Sequence, residues 1–314
     1  MLETNYSPFQ SLKLISLDYY FDEMVKLYET NSFPKVLLLN GKKGIGKFTL
    51  IFHFLNYIYS KNENNNYKIK EKLIDSSSNF YNSVLNKTCS DVIFLHAEKG
   101  KNIKIDDIRN LKSVLSKSSL SENPRFTIID EVEFLNANSV NALLKTLEEP
   151  SVNNYFILTN NQQADLIETI SSRCLKNNVY LNSKQRKKVI DYFVEYKQIN
   201  LSIDDSDSLT PGLLIKYNDL FNKYKIKNND NILLKLNKLL YAYKKDKDKN
   251  LIQMSIFFVD QYIYHLVKEN VNNTDFLLNI KSITINKIND FVIYNLNINS
   301  VLNSIELILK NVRQ

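Results

Sequence analysis

Three residues in the stretch LLLNGKKGIGKFTLIF, residues 37–52, have the types and spacing of a phosphate-binding loop. Gly41, Gly46 and Lys47 fit the pattern G-x-x-x-x-G-K-[S/T] between a strand and a helix. In such a turn the backbone N–H groups point at an anion, and the lysine ammonium reaches the outer phosphates. The motif predicts a phosphate cradle, against the alternative of a glycine turn without a ligand.

Glycine is scarce in the rest of the chain. A protein of this length has about 22 glycines on average. This chain has five, and Gly41, Gly44 and Gly46 fall within one short window. The cluster indicates a backbone that takes unusual dihedral angles or approaches another group closely.

The eighth position of the motif departs from the pattern. Phe48 stands where such loops usually carry a hydroxyl group, so this position cannot hold Mg²⁺. Thr49 follows, but one step along a helix turns a side chain by about 100°. Thr49 would therefore need a shifted register to serve instead. Nucleotide binding stays open for this loop, whereas Mg²⁺-dependent hydrolysis is disfavoured.

Polar pairs follow two later apolar runs. Asp130 and Glu131 follow RFTII, where an aspartate and a glutamate could orient Mg²⁺ and polarise an attacking water. Asn160 and Asn161 close YFILTNN, where an amide could sense an outer phosphate. The alternatives are an acidic helix start and a polar strand end. Because ligands bind at the carboxyl ends of strands in open α/β sheets, we expect these residues near the loop.

An arginine lies beyond the last of these units. The stretch ETISSRCLKN contains Arg173, which could reach a neighbouring subunit's nucleotide and stabilise charge that develops in the transition state. The alternative is a surface arginine in an ordinary salt bridge, and the short string taken alone favours that alternative.

The elements that position these residues alternate along the chain. Helical patterns separate apolar runs that predict strands at 36–40, 91–97, 126–130, 155–160 and 178–181. Alternation of this kind predicts an α/β fold, with a parallel sheet flanked by helices on both faces. Residues 60–90 are rich in Asn, Lys and Ser and are interpreted as a polar, partly flexible insertion. Beyond about residue 182 helical periodicity dominates.

The composition narrows the class of protein. The net charge of +7 permits a nucleic-acid partner but also fits lysines spread over solvated faces. Cys89 and Cys174 have no zinc spacing, and the three histidines are scattered, so no metal site is predicted. MLETNYSPFQ lacks a signal-peptide pattern, and no apolar run approaches about 20 residues. We therefore expect a cytoplasmic protein.

Together these segments resemble the AAA+ clamp-loader family. VNALLKTLEEP, followed after a strand by TISSRC, is the family's most specific stretch, and Ser-Arg-Cys is its signature. The resemblance covers residues 10–182 well and the helical remainder in outline. It implies an α/β AAA+ P-loop core at 1–182, an all-α lid at 183–218 and an all-α collar for oligomerisation at 219–314.

The resemblance also implies partners and a cofactor. The family forms a five-subunit ring in bacterial DNA polymerase III, opens the ring-shaped sliding clamp and places it on primed DNA. The expected partners are motor and delta subunits, the clamp and primer-template DNA. The expected cofactor is ATP or ADP with Mg²⁺, and the residues implied to bind it are Gly41, Gly44, Gly46, Lys47, Thr49, Asp130 and Asn160.

Two departures from the family pattern concern zinc and the lid. Motor subunits of the family carry a four-cysteine zinc module between the first two motifs, but Cys89 is the only cysteine there, so no zinc is expected. Active ATPases of the family offer a lid arginine shortly after a glycine. Here Leu213 and Leu214 follow Gly212.

The favoured function is a stator subunit that supplies Arg173 to a neighbouring ATPase. Phe48 and the missing lid arginine predict little or no hydrolysis by this chain itself. The alternative is an active motor subunit, with Glu131 as a catalytic residue beside Lys47 and Asp130.

Overall fold

The protein is described by a computed structural model over residues 7–96, 103–116, 123–196, 198–203, 208–269 and 274–310. It packs as two compact units. One is built from the described residues of 1–199 and 206–213, and the other from those of 200–205 and 214–314. The division into core, lid and collar stays a prediction.

The first unit contains a parallel sheet and the helices around it. Its strands are β1 (Val36–Asn40), β2 (Val92–Leu95), β3 (Arg125–Ile129), β4 (Asn154–Asn160) and β5 (Leu175–Asn178). Its helices are α1 (Asp18–Glu29), α2 (Lys47–Tyr59), α3 (Asn79–Leu85), α4 (Ile105–Leu115), α5 (Ala137–Glu148), α6 (Glu168–Ser171) and α7 (Ser183–Tyr196).

The strands lie in the order β2-β3-β4-β1-β5, and each neighbouring pair is parallel. The first four predicted strands are confirmed to within two residues where they are described; residue 97 lies outside the described residues. The fifth was wrong by three residues, since β5 is an edge strand that includes exposed Leu175 and Lys176. An exposed edge strand lacks the apolar run by which buried strands are found.

Successive residues of β1 point to opposite faces of the sheet, and each face has its own core. Leu37 and Leu39 belong to a cluster rich in aromatic residues that includes residues of α1, α2 and α3. Val36 and Leu38 belong to a second cluster, which includes residues of α4 and α5. The predicted α/β class, with helices on both faces of a parallel sheet and helices after it, is confirmed.

The interpretation of residues 60–90 as a polar, partly flexible insertion was wrong. Five residues of this stretch are buried in the aromatic-rich cluster: Tyr67, Ile74, Phe80, Tyr81 and Val84. Phe80 on α3 stacks on Tyr59, with ring centroids 4.6 Å apart. The segment is therefore part of the core. Its composition suggests otherwise because exposed Asn and Lys residues outnumber the buried apolar ones.

The second unit is helical. Its elements are α8 (Pro211–Lys223), whose first residues belong to the first unit, α9 (Ile232–Asp246), α10 (Lys249–Glu269), α11 (Thr274–Ile293) and α12 (Ile298–Lys310). Leu240, Met254 and Ile305 are fully buried, so the helices enclose an apolar core of their own. Of the helices described, none is both long and apolar enough to span a bilayer.

Candidate phosphate-binding site

The candidate site lies at the carboxyl edge of the sheet, where three neighbouring strands end. β1 runs into the loop 41–46, β3 ends just before Asp130 and Glu131, and β4 ends at Asn160. Because β4 lies between β3 and β1, these segments meet at one edge. The structure places the loop glycines, Lys47, Asp130, Glu131 and Asn160 at this edge, and it places Arg173 elsewhere.

The loop leads into the N-terminus of α2, where the N-cap residue Gly46 has no side chain to cap the helix. Gly46 precedes the helix with a φ of 97°, a left-handed conformation that glycine adopts without strain. The first backbone N–H groups of this 13-residue helix donate to no side chain of the N-cap residue. They are therefore suited to bind an anion. The helix dipole adds to the attraction, so the arrangement fits a phosphate group.

Lys47 is buried beside the loop, and its ammonium has neutral hydrogen-bond partners. Nζ donates to the carbonyl oxygens of Gly41 (2.7 Å) and Lys42 (3.0 Å) and to Asn161 Oδ1 (2.6 Å). Burial lowers the pKa of Lys47 to about 8, although the nearby carboxylates oppose this shift. A buried cation held by neutral groups carries a desolvation cost that an anionic ligand would offset.

Asn161 connects this lysine to the acidic residues. While Oδ1 accepts from Lys47, Nδ2 donates to Glu131 Oε1 at 3.2 Å. The backbone N–H of Asn161 donates to Glu133 Oε1 at 2.9 Å. Asn161 therefore lies at the centre of the site and touches a lysine and two carboxylates.

Asn160 has different neighbours. Its Nδ2 donates to Asn40 Oδ1 at 2.9 Å, and Asn40 Nδ2 donates in turn to Asn178 Oδ1 at 2.7 Å. The three asparagines lie in register on β4, β1 and β5 and form a ladder across the ends of these strands. The Asn160 Nδ2 thus helps to hold the strands together at the edge that carries the loop, while its Oδ1 accepts from the Gln162 backbone N–H at 3.0 Å.

The carboxylates of Asp130 and Glu131 are engaged by Thr159 and Lys43. The Thr159 hydroxyl donates to Asp130 Oδ1, and the Glu131 backbone N–H donates to Thr159 Oγ1 at 3.1 Å. Glu131 has a φ of 57°, and its Oε1 lies 2.8 Å from the Lys43 ammonium. Burial raises the pKa of Asp130 and of Glu133. Glu131 is thus engaged by a cation of this chain's own loop.

Phe48 belongs to the core. Its ring packs against Phe9 and Phe94, with centroids 5.4 and 5.7 Å apart. The position that usually offers a hydroxyl group to Mg²⁺ is therefore fixed in an aromatic cluster. Thr49, one residue further, is half-buried within the first turn of α2.

The protein groups that would contact Mg²⁺ are missing or already engaged at this edge. The Thr159 hydroxyl engages Asp130, Lys43 engages Glu131, and Phe48 supplies no oxygen. In the part of the chain that the structure describes, no three His, Cys, Asp or Glu side chains are grouped to hold a metal ion. Mg²⁺ takes one or two carboxylates together with water and phosphate oxygens, and the carboxylates at this edge are already engaged by Thr159, Lys43 and Asn161. The phosphates of a nucleotide fit the uncapped helix and the buried lysine.

The start of α8 lies against the tip of the loop. Gly44 has a φ of 81°. Its carbonyl oxygen accepts a hydrogen bond from the Gly212 N–H at 2.8 Å. A Cβ atom added at Gly212 would come within 2.8 Å of that same oxygen. The Thr210 hydroxyl donates to the Lys43 carbonyl oxygen at 2.6 Å. The stretch TPGLLIKY thus begins at the loop, and its glycine is required by this close approach.

Arg173 lies at the opposite end of the strands, near the end of the sheet where β1 begins. It precedes β5, whose first residue Leu175 is paired with Leu37 near the start of β1. The guanidinium forms an ion pair with Glu148 and donates through Nη1 to the Thr169 carbonyl oxygen at 2.8 Å. Within the chain, Arg173 therefore makes an ordinary salt bridge with Glu148, which is what the alternative interpretation of ETISSRCLKN predicts.

The sequence interpretation missed three residues that the structure places in the site: Lys43, Thr159 and Glu133. Lys43 occupies a variable position of the motif, so the pattern does not single it out. Thr159 precedes Asn160 on a strand, and the alternation of side chains could have predicted that Thr159 and Asn161 share a face. Nothing in the sequence indicates the 8% exposure of Glu133, because acidic residues near helix starts are common.

A parallel sheet, a left-handed glycine before an uncapped helix, and a buried lysine facing strand-end carboxylates define a phosphate-loop α/β protein. The profile of the family described as "DNA polymerase III, delta subunit" matches residues 18–181. This is more than half of the 314 residues, and the chain belongs to this family. The predicted resemblance to clamp-loader subunits is confirmed.

Relatives of two subunit types match parts of the chain. The DNA polymerase III subunit gamma of Buchnera aphidicola subsp. Acyrthosiphon pisum is 29% identical over 54% of this chain and 44% of its own length. The subunit delta' of Haemophilus influenzae is 37% identical over 24% of this chain and 23% of its own length. The matched segments thus span less than half of these curated relatives.

One solved structure has a similar fold. The crystal structure of a DNA polymerase III gamma subunit-related protein from Thermotoga maritima aligns with a TM-score of 0.50 and 18% identity. The alignment covers 93% of this chain and 100% of that protein. At this identity the likeness concerns the fold alone.

Proposed function

We propose that this chain is a delta-prime-like subunit of the bacterial DNA polymerase III clamp loader. In this role it is a stator that supplies Arg173 to the nucleotide of a neighbouring ATPase subunit. The observation that carries the proposal is the position of Arg173, at the edge of the sheet opposite to the chain's own loop. Membership of the family supports the assignment to this complex.

The length of β5 separates Arg173 from its own loop. A parallel strand rises about 3.3 Å per residue, so the four residues of β5 place the two edges roughly 10 Å apart before either side chain is added. The Arg173 side chain is 30% exposed, so it can be approached from outside. Its ion pair with Glu148 lies at the surface, and such pairs contribute only about 0–1 kcal/mol. A neighbour's phosphate could therefore replace Glu148 at small cost.

The chain's own edge is less suited to hydrolysis. Phe48 removes the Mg²⁺ hydroxyl, and Lys43 engages Glu131, which would otherwise polarise water. The loop nevertheless keeps its uncapped helix and Lys47, and we propose that it binds ATP or ADP without turning it over.

The affinity for ATP should fall as the pH rises through about 8. The anion favours the protonated Lys47, whose pKa is lowered to about 8 by burial, so affinity is highest below that value. Above it, affinity should fall by up to about tenfold per pH unit as the proton is lost. Equilibrium titration with a fluorescent ATP analogue checks this, because its phosphates are fully ionised over this range. Lys47→Met should bind weakly and without this slope; an equal slope in that variant would contradict the assignment.

We propose a lid at 183–218 and a collar at 219–314 that joins motor and delta subunits in a five-membered ring, which acts on the sliding clamp and primer-template DNA. Mixing this chain with the motor and delta subunits of the same complex should give one species with the mass of a pentamer by native mass spectrometry. A chain that stays monomeric with all partners present would contradict the proposal.

The alternative is an active motor subunit. It is favoured by the meeting of Lys47, Asp130 and Glu131 at one edge. Under this alternative the purified chain should hydrolyse ATP, and Lys47→Ala should abolish the turnover. The stator predicts no Lys47-dependent turnover by the isolated chain.

A further inference from the structure

The ion pair between Lys43 and Glu131 spans the candidate site. Lys43 Nζ lies 2.8 Å from Glu131 Oε1 and donates to Gln163 Oε1 at 3.2 Å. The two charged side chains are 24% and 23% exposed, so the pair is largely shielded from water. It joins the phosphate loop to the end of β3, across the edge where β4 ends between them.

The second lysine of the loop lies close to this pair. Asn161 accepts from Lys47 through Oδ1 at 2.6 Å and donates to Glu131 through Nδ2 at 3.2 Å. One asparagine side chain therefore separates the Lys47 ammonium from the carboxylate that Lys43 engages. Asn161 and Glu131 thus link the two lysines of the loop, Lys47 from its buried side and Lys43 from its more exposed side.

A polyphosphate at this edge would meet three carboxylates: Asp130, Glu131 and Glu133. A divalent cation ordinarily screens phosphates from such groups, but Phe48 leaves this edge without the hydroxyl group that usually helps to hold Mg²⁺. Lys43 already supplies a positive charge at Glu131. Its backbone is fixed by Thr210, which donates to its carbonyl oxygen at 2.6 Å, so the side chain projects from an anchored position.

We propose that Lys43 takes the place of the divalent cation, so that the loop binds nucleoside di- or triphosphates without Mg²⁺. The ammonium would remain on Glu131 and contact an outer phosphate oxygen, while Lys47 contacts the phosphates from the base of the loop. This inference rests on the proposal that the loop binds nucleotide. It is independent of Arg173, whose role is measured through the turnover of partner subunits.

The test is equilibrium binding of a fluorescent ATP analogue to the full chain, with excess Mg²⁺ or with EDTA. The wild-type chain should bind with affinities that agree within about threefold in the two buffers. Lys43→Met should lose about tenfold or more in EDTA, since a charge-assisted hydrogen bond contributes about 1.5–3 kcal/mol. Lys61→Met is the matched control, because it removes the same charge from a surface ion pair with Glu29, outside the loop.

Three results would overturn the inference: wild-type binding that needs Mg²⁺, wild-type binding that fails in both buffers, or Lys43→Met binding in EDTA at least as tightly as the wild type. Tighter binding by Lys43→Met would show instead that Lys43 obstructs the loop. Thermal unfolding of each variant separates loss of affinity from loss of fold. If binding fails while Arg173→Ala still lowers partner turnover, the inference is wrong and the proposed stator function stands.

Discussion

Replacing Arg173 with alanine is expected to lower the DNA-stimulated ATP turnover of the assembled complex by about 10³-fold or more. An arginine that reaches a neighbour's nucleotide stabilises charge that develops during phosphoryl transfer, and contributions of this size are known for such arginines. Because Arg173 lies at the end of the sheet opposite to its own loop, the proposed contribution would be made at a neighbouring site. The measurement is steady-state turnover of the reconstituted complex at saturating ATP and primed DNA.

Two further variants control for structure. Glu148→Gln removes the ion-pair partner of Arg173 and leaves the guanidinium in place, so the complex should keep nearly all its turnover. Arg173→Lys keeps the charge but not the planar fork of donors, so turnover should stay well below that of the wild type. Equal turnover of the wild-type and Arg173→Ala complexes, at equal assembly, would remove the arginine from the mechanism.

Replacing Phe80 with alanine should destabilise the first unit by about 3–5 kcal/mol. Phe80 is 6% exposed and stacks on Tyr59, so its loss leaves a cavity in the aromatic-rich cluster. Chemical denaturation followed by tyrosine fluorescence measures the change, with the transition of the first unit fitted separately from that of the second.

Leu85→Ala is the matched control for this prediction. Leu85 lies on the same helix, α3, but is 43% exposed, so its truncation should cost less than about 1 kcal/mol. Equal effects of the two substitutions would mean that α3 is not anchored through its buried face. The comparison therefore tests directly whether residues 60–90 belong to the core.

The fold could be predicted where strands are buried on both faces. β1, β3 and β4 are near-continuous apolar runs because helices cover the sheet on both sides. β5 was misplaced because, as an edge strand with exposed residues, it carries no such run. Residues 60–90 were misjudged because composition averages over a few buried aromatics and numerous exposed polar residues, and burial depends on tertiary contacts that no local pattern carries.

The site could be predicted as far as motif and strand ends define it. The glycines, Lys47 and the acidic pair follow from the loop pattern and from the rule that ligands bind at the carboxyl ends of strands. The partners of these residues could not be predicted, because they depend on which strands are neighbours. Asn161 and Lys43 touch Glu131 only because β4 lies between β1 and β3.

The central claim is that this chain contributes to hydrolysis at a neighbour's site and not at its own. The most direct measurement is the DNA-stimulated ATP turnover of two reconstituted complexes, one with Arg173→Ala and one with Glu131→Gln in this chain. Turnover should be almost abolished in the Arg173→Ala complex and should match the wild type in the Glu131→Gln complex. The opposite pattern, in which Arg173→Ala is tolerated and Glu131→Gln removes turnover, would contradict the claim.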